Sequence, residues 1–121
     1  MKPVLVVEDD EDVREAIVES LMLMGQKAVG VADGRAALDW LQSAEKLPSV
    51  IVLDLMMPRM DGFEFREKQL EDPRLAGIPV VVLSADRTTD QKAESMQADG
   101  FARKPVGIAD LMGIAEKYRA E

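Results

Sequence analysis

The chain has 121 residues and an apolar content of 47%, enough for one domain spanning residues 1–121 with a substantial core. It contains no cysteine and no histidine, which excludes disulfides, thiolate zinc sites, cysteine nucleophiles, imidazole bases and a phosphohistidine of its own. A net charge of −8 argues against direct nucleic-acid binding and suits a divalent cation or a basic partner surface.

The first apolar run, Pro3–Val7, is too short for a signal-peptide core and leads directly into Glu8-Asp9-Asp10. No stretch approaches the ~20 apolar residues that span a bilayer, so the expected location is the cytoplasm, with no membrane partner. The run reads as a strand buried on both faces, because it lacks polar alternation. A helix follows from Glu11 to Met24. Its apolar stripe is Val13, Ala16, Ile17, Leu21 and Met24, with Asp10 as N-cap and Gly25 as stop.

Lys27–Val31 is a weaker strand suited to a sheet edge. Asp33 caps a second helix through Ala37, Leu38 and Leu41, in which Trp40 is a packing residue. Val50–Asp54 is a third strand and ends in a single carboxylate, before the loop Leu55-Met-Met-Pro-Arg-Met-Asp-Gly62. A third helix runs from about Gly62 to Leu70 and stops before Pro73. Ile78–Leu83 is a fourth strand, followed by Ser84. A short helix over Thr88–Gln97, a weak fifth strand over Gly100–Ala102 followed by Lys104-Pro105, and a last helix with Leu111, Ile114, Ala115 and Tyr118 complete the pattern.

Five alternations of strand and helix predict parallel βαβ units with right-handed crossovers. The expected fold is α/β and flavodoxin-like: a doubly wound, five-stranded parallel sheet in the order 2-1-3-4-5, with five flanking helices. Sites in such sheets lie beyond the carboxyl ends of the strands, where the order reverses. Strands one and three flank that point, so Glu8, Asp9 and Asp54 should meet there, with Ser84 and Lys104 along the same edge. Three close carboxylates repel one another, and a hard divalent cation relieves the repulsion. An all-oxygen donor set favours Mg2+, or Mn2+ in its place, over zinc.

Taken singly, each feature has an ordinary explanation. Acids enrich helix N-termini, a serine can cap a loop, and a lysine is usually a solvated charge. Their conjunction at the ends of successive strands is the informative signal. Glu8-Asp9, Asp54 with Met57-Pro58 and Asp61-Gly62 after it, Ser84-Ala85 and Lys104-Pro105 resemble bacterial response regulator receiver domains, of the kind found in chemotaxis regulators. The resemblance covers Val4 to Tyr118.

That resemblance implies a role for each residue. Asp54 would be the phosphoacceptor. Asp9 and Asp54 would bind the metal directly, the Met56 backbone carbonyl would join them, and Glu8 would act largely through water. Ser84 would contact the phosphoryl group and move toward it, while Phe101 would change rotamer in response. Lys104 would pair with Asp54 and then with the phosphate. Met56 and Asp86 would border the site mouth and modulate the reaction, and Asp86 is expected to influence how fast water removes the phosphoryl group. The Lys104-Pro105 bond is expected to be cis. Ser84 stands where Thr is more frequent, and Glu8 where Asp is.

The function implied is a switch in a two-component phosphorelay. A sensor histidine kinase or phosphotransfer protein would donate the phosphoryl group, with Mg2+ bound, and a downstream protein target would read the surface of the fourth helix, fifth strand and fifth helix. The phosphorylated chain would be able to form a homodimer through that surface. The chain would catalyse its own phosphorylation and slow dephosphorylation without being an enzyme in the usual sense. It would stand alone or be a receiver fragment of a longer regulator with an output domain. Aspartate-nucleophile phosphatases share the Asp and Mg2+ but carry a second acid two residues on, where this chain has Met56. A non-phosphorylated flavodoxin-like binding module has less support, and no glycine-rich nucleotide signature is present.

Overall fold

The Val- and Ile-rich runs become the strands of one sheet. The computed structural model describes residues 2–55, 57, 60–84, 96–104 and 106–118, with Ser84 described by its main chain alone. In chain order the elements are β1 (Val4–Val7), α1 (Glu11–Leu23), β2 (Ala28–Val31), α2 (Gly34–Ser43), β3 (Val50–Asp54), α3 (Gly62–Glu71), β4 (Val80–Ser84), β5 (Gly100–Arg103) and α4 (Ile108–Lys117). All strand pairs are parallel and the order is β2-β1-β3-β4-β5, as the alternation predicts. The predicted helix Thr88–Gln97 falls outside the described residues except for Met96 and Gln97, which form a turn. The last predicted helix is α4.

The strands lack polar alternation because both sheet faces are covered. Leu5, Val7, Ile51, Leu53, Val80 and Val82 pack with Ala37, Leu38 and Leu41 of α2 and Phe65 of α3. The alternate residues Val4, Val6, Val50, Val52, Val81 and Leu83 pack with Ile17 and Leu21 of α1 and Leu111 and Ile114 of α4. Trp40 is partly buried against the α2 side.

Three aspartates start three helices. The Asp10, Asp33 and Asp61 carboxylates accept from the backbone N–H of Val13, Ala36 and Glu64 at 3.1, 2.8 and 2.9 Å. α1 is capped at Met24, and Gly25 after it has a φ of +83°, the left-handed conformation glycine adopts without strain. β4 begins at Val80 rather than at Ile78. Ile78 instead closes a turn onto the Leu75 carbonyl, and Pro79 has no N–H to give a ladder. The Val80 N–H then donates to the Asp99 carboxylate at 2.8 Å.

Candidate functional site

Period-two alternation carries three charged residues to one place. Val4, Val6 and then Glu8 follow one face of β1, and Val50, Val52 and then Asp54 follow the same face of β3. In register at the far side, Ala102 of β5 lies on that face, and Lys104 follows two residues later. Glu8, Asp54 and Lys104 thus extend buried apolar rows past the carboxyl edge of the sheet.

Glu8 is wholly buried and Asp54 keeps 5% of its surface exposed, which leaves it at the floor of the pocket but not sealed. Asp9 is exposed. One carboxylate oxygen from each of the three lies within 4.8 Å of the other two. Lys104 Nζ donates to Glu8 Oε1 at 2.8 Å and lies 3.4 Å from Asp54 Oδ1. The expected Lys104–Asp54 pairing is present, and the shorter contact to Glu8 is an addition to it.

The electrostatics follow from that packing. Burial pushes the Glu8 carboxyl up to about 8, reinforced by neighbouring Asp54 and opposed by Lys104. Burial alone would lower the Lys104 ammonium, but the Glu8 hydrogen bond and the Asp54 charge outweigh it and raise the group. Glu8 Oε2 is buried and has no hydrogen-bond partner among the described residues. An orphaned buried oxygen is costly unless something completes it. An oxygen-only donor set with such an atom fits a hard divalent cation and its waters.

The loop behind Asp54 is held by close main-chain approach. The Gly62 N–H donates to the Leu55 carbonyl at 3.0 Å. A Cβ at Gly62 would sit 2.8 Å from the Asp54 carbonyl oxygen and from Leu55 Cα. Asp61-Gly62 is therefore a cap followed by a residue that only glycine fits.

The family model for the response regulator receiver domain matches residues 4–116. The chain belongs to the response regulator receiver domain family. Among curated proteins, response regulator Rre1 of Synechocystis sp. is 34% identical over 96% of this chain and 51% of its own length. The chain therefore spans about half the length of this relative. Among solved structures, the signal receiver domain of a signal transduction histidine kinase from Syntrophus aciditrophicus superposes with a TM-score of 0.87 at 27% identity, covering 100% of this chain and 96% of that one. The chemotaxis response regulator CheY4 of Vibrio cholerae superposes at 0.86 with 28% identity and 98% coverage of each.

Receiver domains are signalling switches of two-component systems and bind Mg2+ in an acidic pocket. In this receiver domain Phe101 is 50% exposed on β5. Among the described residues no helix is long and apolar enough to cross a membrane. Met56, Asp86 and Pro105 lie outside the described residues, as does the Ser84 side chain, so the expectations placed on them, including the cis bond, have no structural counterpart here.

The Glu8–Lys104 pair and the contact of Arg14 with the Glu8 carbonyl, at 3.0 Å, escape sequence reasoning. Period-two counting through Ala102 would have put Lys104 on the Glu8 face. No local signal marks Arg14.

Proposed function

We propose that this receiver domain is a phosphorylation-operated switch in which Asp54 is the phosphoacceptor. The observation that carries the reading is Lys104 held between Glu8 and Asp54 at 2.8 and 3.4 Å, beside a third acid. That arrangement stabilises a nucleophilic carboxylate now and gives a cation for a phosphoryl oxygen later.

The donor is a phosphohistidine of a sensor kinase or phosphotransfer protein. An Asp54 carboxylate oxygen attacks phosphorus, the histidine N–P bond breaks, and the imidazole leaves with the electron pair and takes a proton from water. No general base on this chain is required. Asp9 and Asp54, with the Met56 carbonyl, would hold Mg2+ directly and Glu8 through water; the ion would neutralise charge on the equatorial oxygens. Lys104 and the Ser84 hydroxyl orient and neutralise the rest. The chain thus catalyses its own phosphorylation and slow dephosphorylation, with Met56 and Asp86 as modulating residues. Replacing Asp86 by Ala should change the dephosphorylation rate.

The output surface is the β5 and α4 face. Phe101 exposes half of its surface there, beside a groove that Ala109, Asp110, Gly113 and Lys117 of α4 line. Ser84 and Phe101 are the switch pair that couples the phosphoryl group to that face. A downstream protein, or a second phosphorylated copy, would bind it.

Incubation with Mg2+ and acetyl phosphate, followed by intact-mass spectrometry, tests the reading. The expected result is one phosphoryl adduct per chain, absent with EDTA. Rapid multiple-turnover hydrolysis of small phosphoesters without an adduct would instead indicate a phosphatase.

A further inference from the structure

Arg14 is the sole cation of α1, a helix that also carries Glu11, Asp12, Glu15 and Glu19. Among the described residues it makes no ion pair with any of them. Its NH1 group donates instead to the main-chain carbonyl of Glu8 at 3.0 Å. Its aliphatic stem lies on Gly30 of β2, where a Cβ would come within 2.9 Å of Arg14 Cγ and 3.1 Å of Cδ. A glycine in a strand lacks β propensity and packing, and close approach by another group is one physical reason for it.

Both main-chain groups of Glu8 are thereby fixed on the β2 side. Its N–H donates to the Val31 carbonyl at 3.1 Å, and its carbonyl accepts from Arg14. That carbonyl belongs to the peptide joining Glu8 to Asp9. The exposed Asp9 carboxylate takes no hydrogen bond among the described residues, so its main chain sets its aim. We propose that Arg14, seated on Gly30, is a positioning residue that fixes the Glu8–Asp9 peptide and so directs the Asp9 carboxylate at the metal. The proposal rests on the metal-binding reading above.

Isothermal titration with Mg2+ tests it, on wild type, Arg14→Met, Arg14→Lys, Gly30→Ala and the Gly30→Ala/Arg14→Met double variant. Circular dichroism at the titration temperature confirms that each is folded. Partners that orient a ligand shift metal affinity by about 10–100-fold, so Arg14→Met should weaken Mg2+ binding about tenfold. Arg14→Lys should restore part of the affinity. Gly30→Ala should weaken binding in the same direction, and the double variant should be no weaker than the worse single one. Wild-type affinity in a folded Arg14→Met variant would overturn the proposal, as would fully additive losses in the double variant. A wild-type chain that binds no Mg2+ would overturn the metal reading itself, and this inference with it.

Discussion

Glu8 connects two properties of the pocket: its carboxyl is wholly buried, and it is pushed from 4.5 to about 8. Between those values the folded chain holds a proton that the unfolded chain has already lost. The folded state then binds more protons, so this group's contribution to stability falls as pH rises from about 4.5 to about 8. Glu8→Gln removes that proton-binding difference. Urea midpoints measured across this window without metal should fall less steeply for Glu8→Gln than for wild type; equal slopes would contradict the assignment. Lys104 carries the opposite charge in the same contact. Lys104→Met leaves Glu8 and Asp54 facing each other with no cation between them, and should slow phosphorylation from acetyl phosphate by about 10²–10³-fold, as loss of one charge-stabilising donor does. A rate within twofold of wild type would show that Lys104 is not needed.

At the scale of elements, the turns that deliver these residues depend on tight main-chain contacts. Gly62→Ala places a methyl group 2.8 Å from the Asp54 carbonyl and Leu55 backbone. Overpacking of this kind should destabilise by about 1–3 kcal/mol and impair the site as well, measured by thermal unfolding and by adduct yield. A second support lies on α3. Gln69 is fully buried and donates to the Leu75 and Ile78 carbonyls, both at 3.0 Å, while Arg66 donates to Gln69 Oε1 and to the Met96 and Gln97 carbonyls. Gln69→Leu should cost about 2–3 kcal/mol because it strands those carbonyls. The Arg66–Gln69 network could not be read from the sequence, because Arg66 and Met96 are 30 residues apart. The strands could be read, since Val- and Ile-rich runs buried on both faces have few alternatives, and the helix starts could be read from Asp10 and Asp33. Their ends were less legible: Pro3 and Ile78 look like strand residues but lie just before the strands begin. The Lys104–Glu8 contact, across 96 residues, depends on the sheet register rather than on any local pattern.

For the whole molecule, the sheet order β2-β1-β3-β4-β5 is what turns a list of acids into a pocket. β1 and β3 are neighbours although a strand and two helices separate them in sequence, so Glu8 and Asp54 end side by side. With all three acids ionised, Glu8, Asp9 and Asp54 against Lys104 leave three negative charges facing one positive. A ligand that binds only the folded state stabilises it by about 1.4 kcal/mol at ten times its Kd. Saturating Mg2+ should therefore raise the Tm of wild type by a few degrees, and that of Asp54→Asn by clearly less. The central claim is that this pocket places a phosphoryl group on Asp54. Its most direct test is tandem mass spectrometry of the chain digested after reaction with acetyl phosphate and Mg2+. The account predicts a phosphoryl group on Asp54 alone, lost in Asp54→Asn and without metal; a modification on any other residue, or one indifferent to both changes, would contradict it.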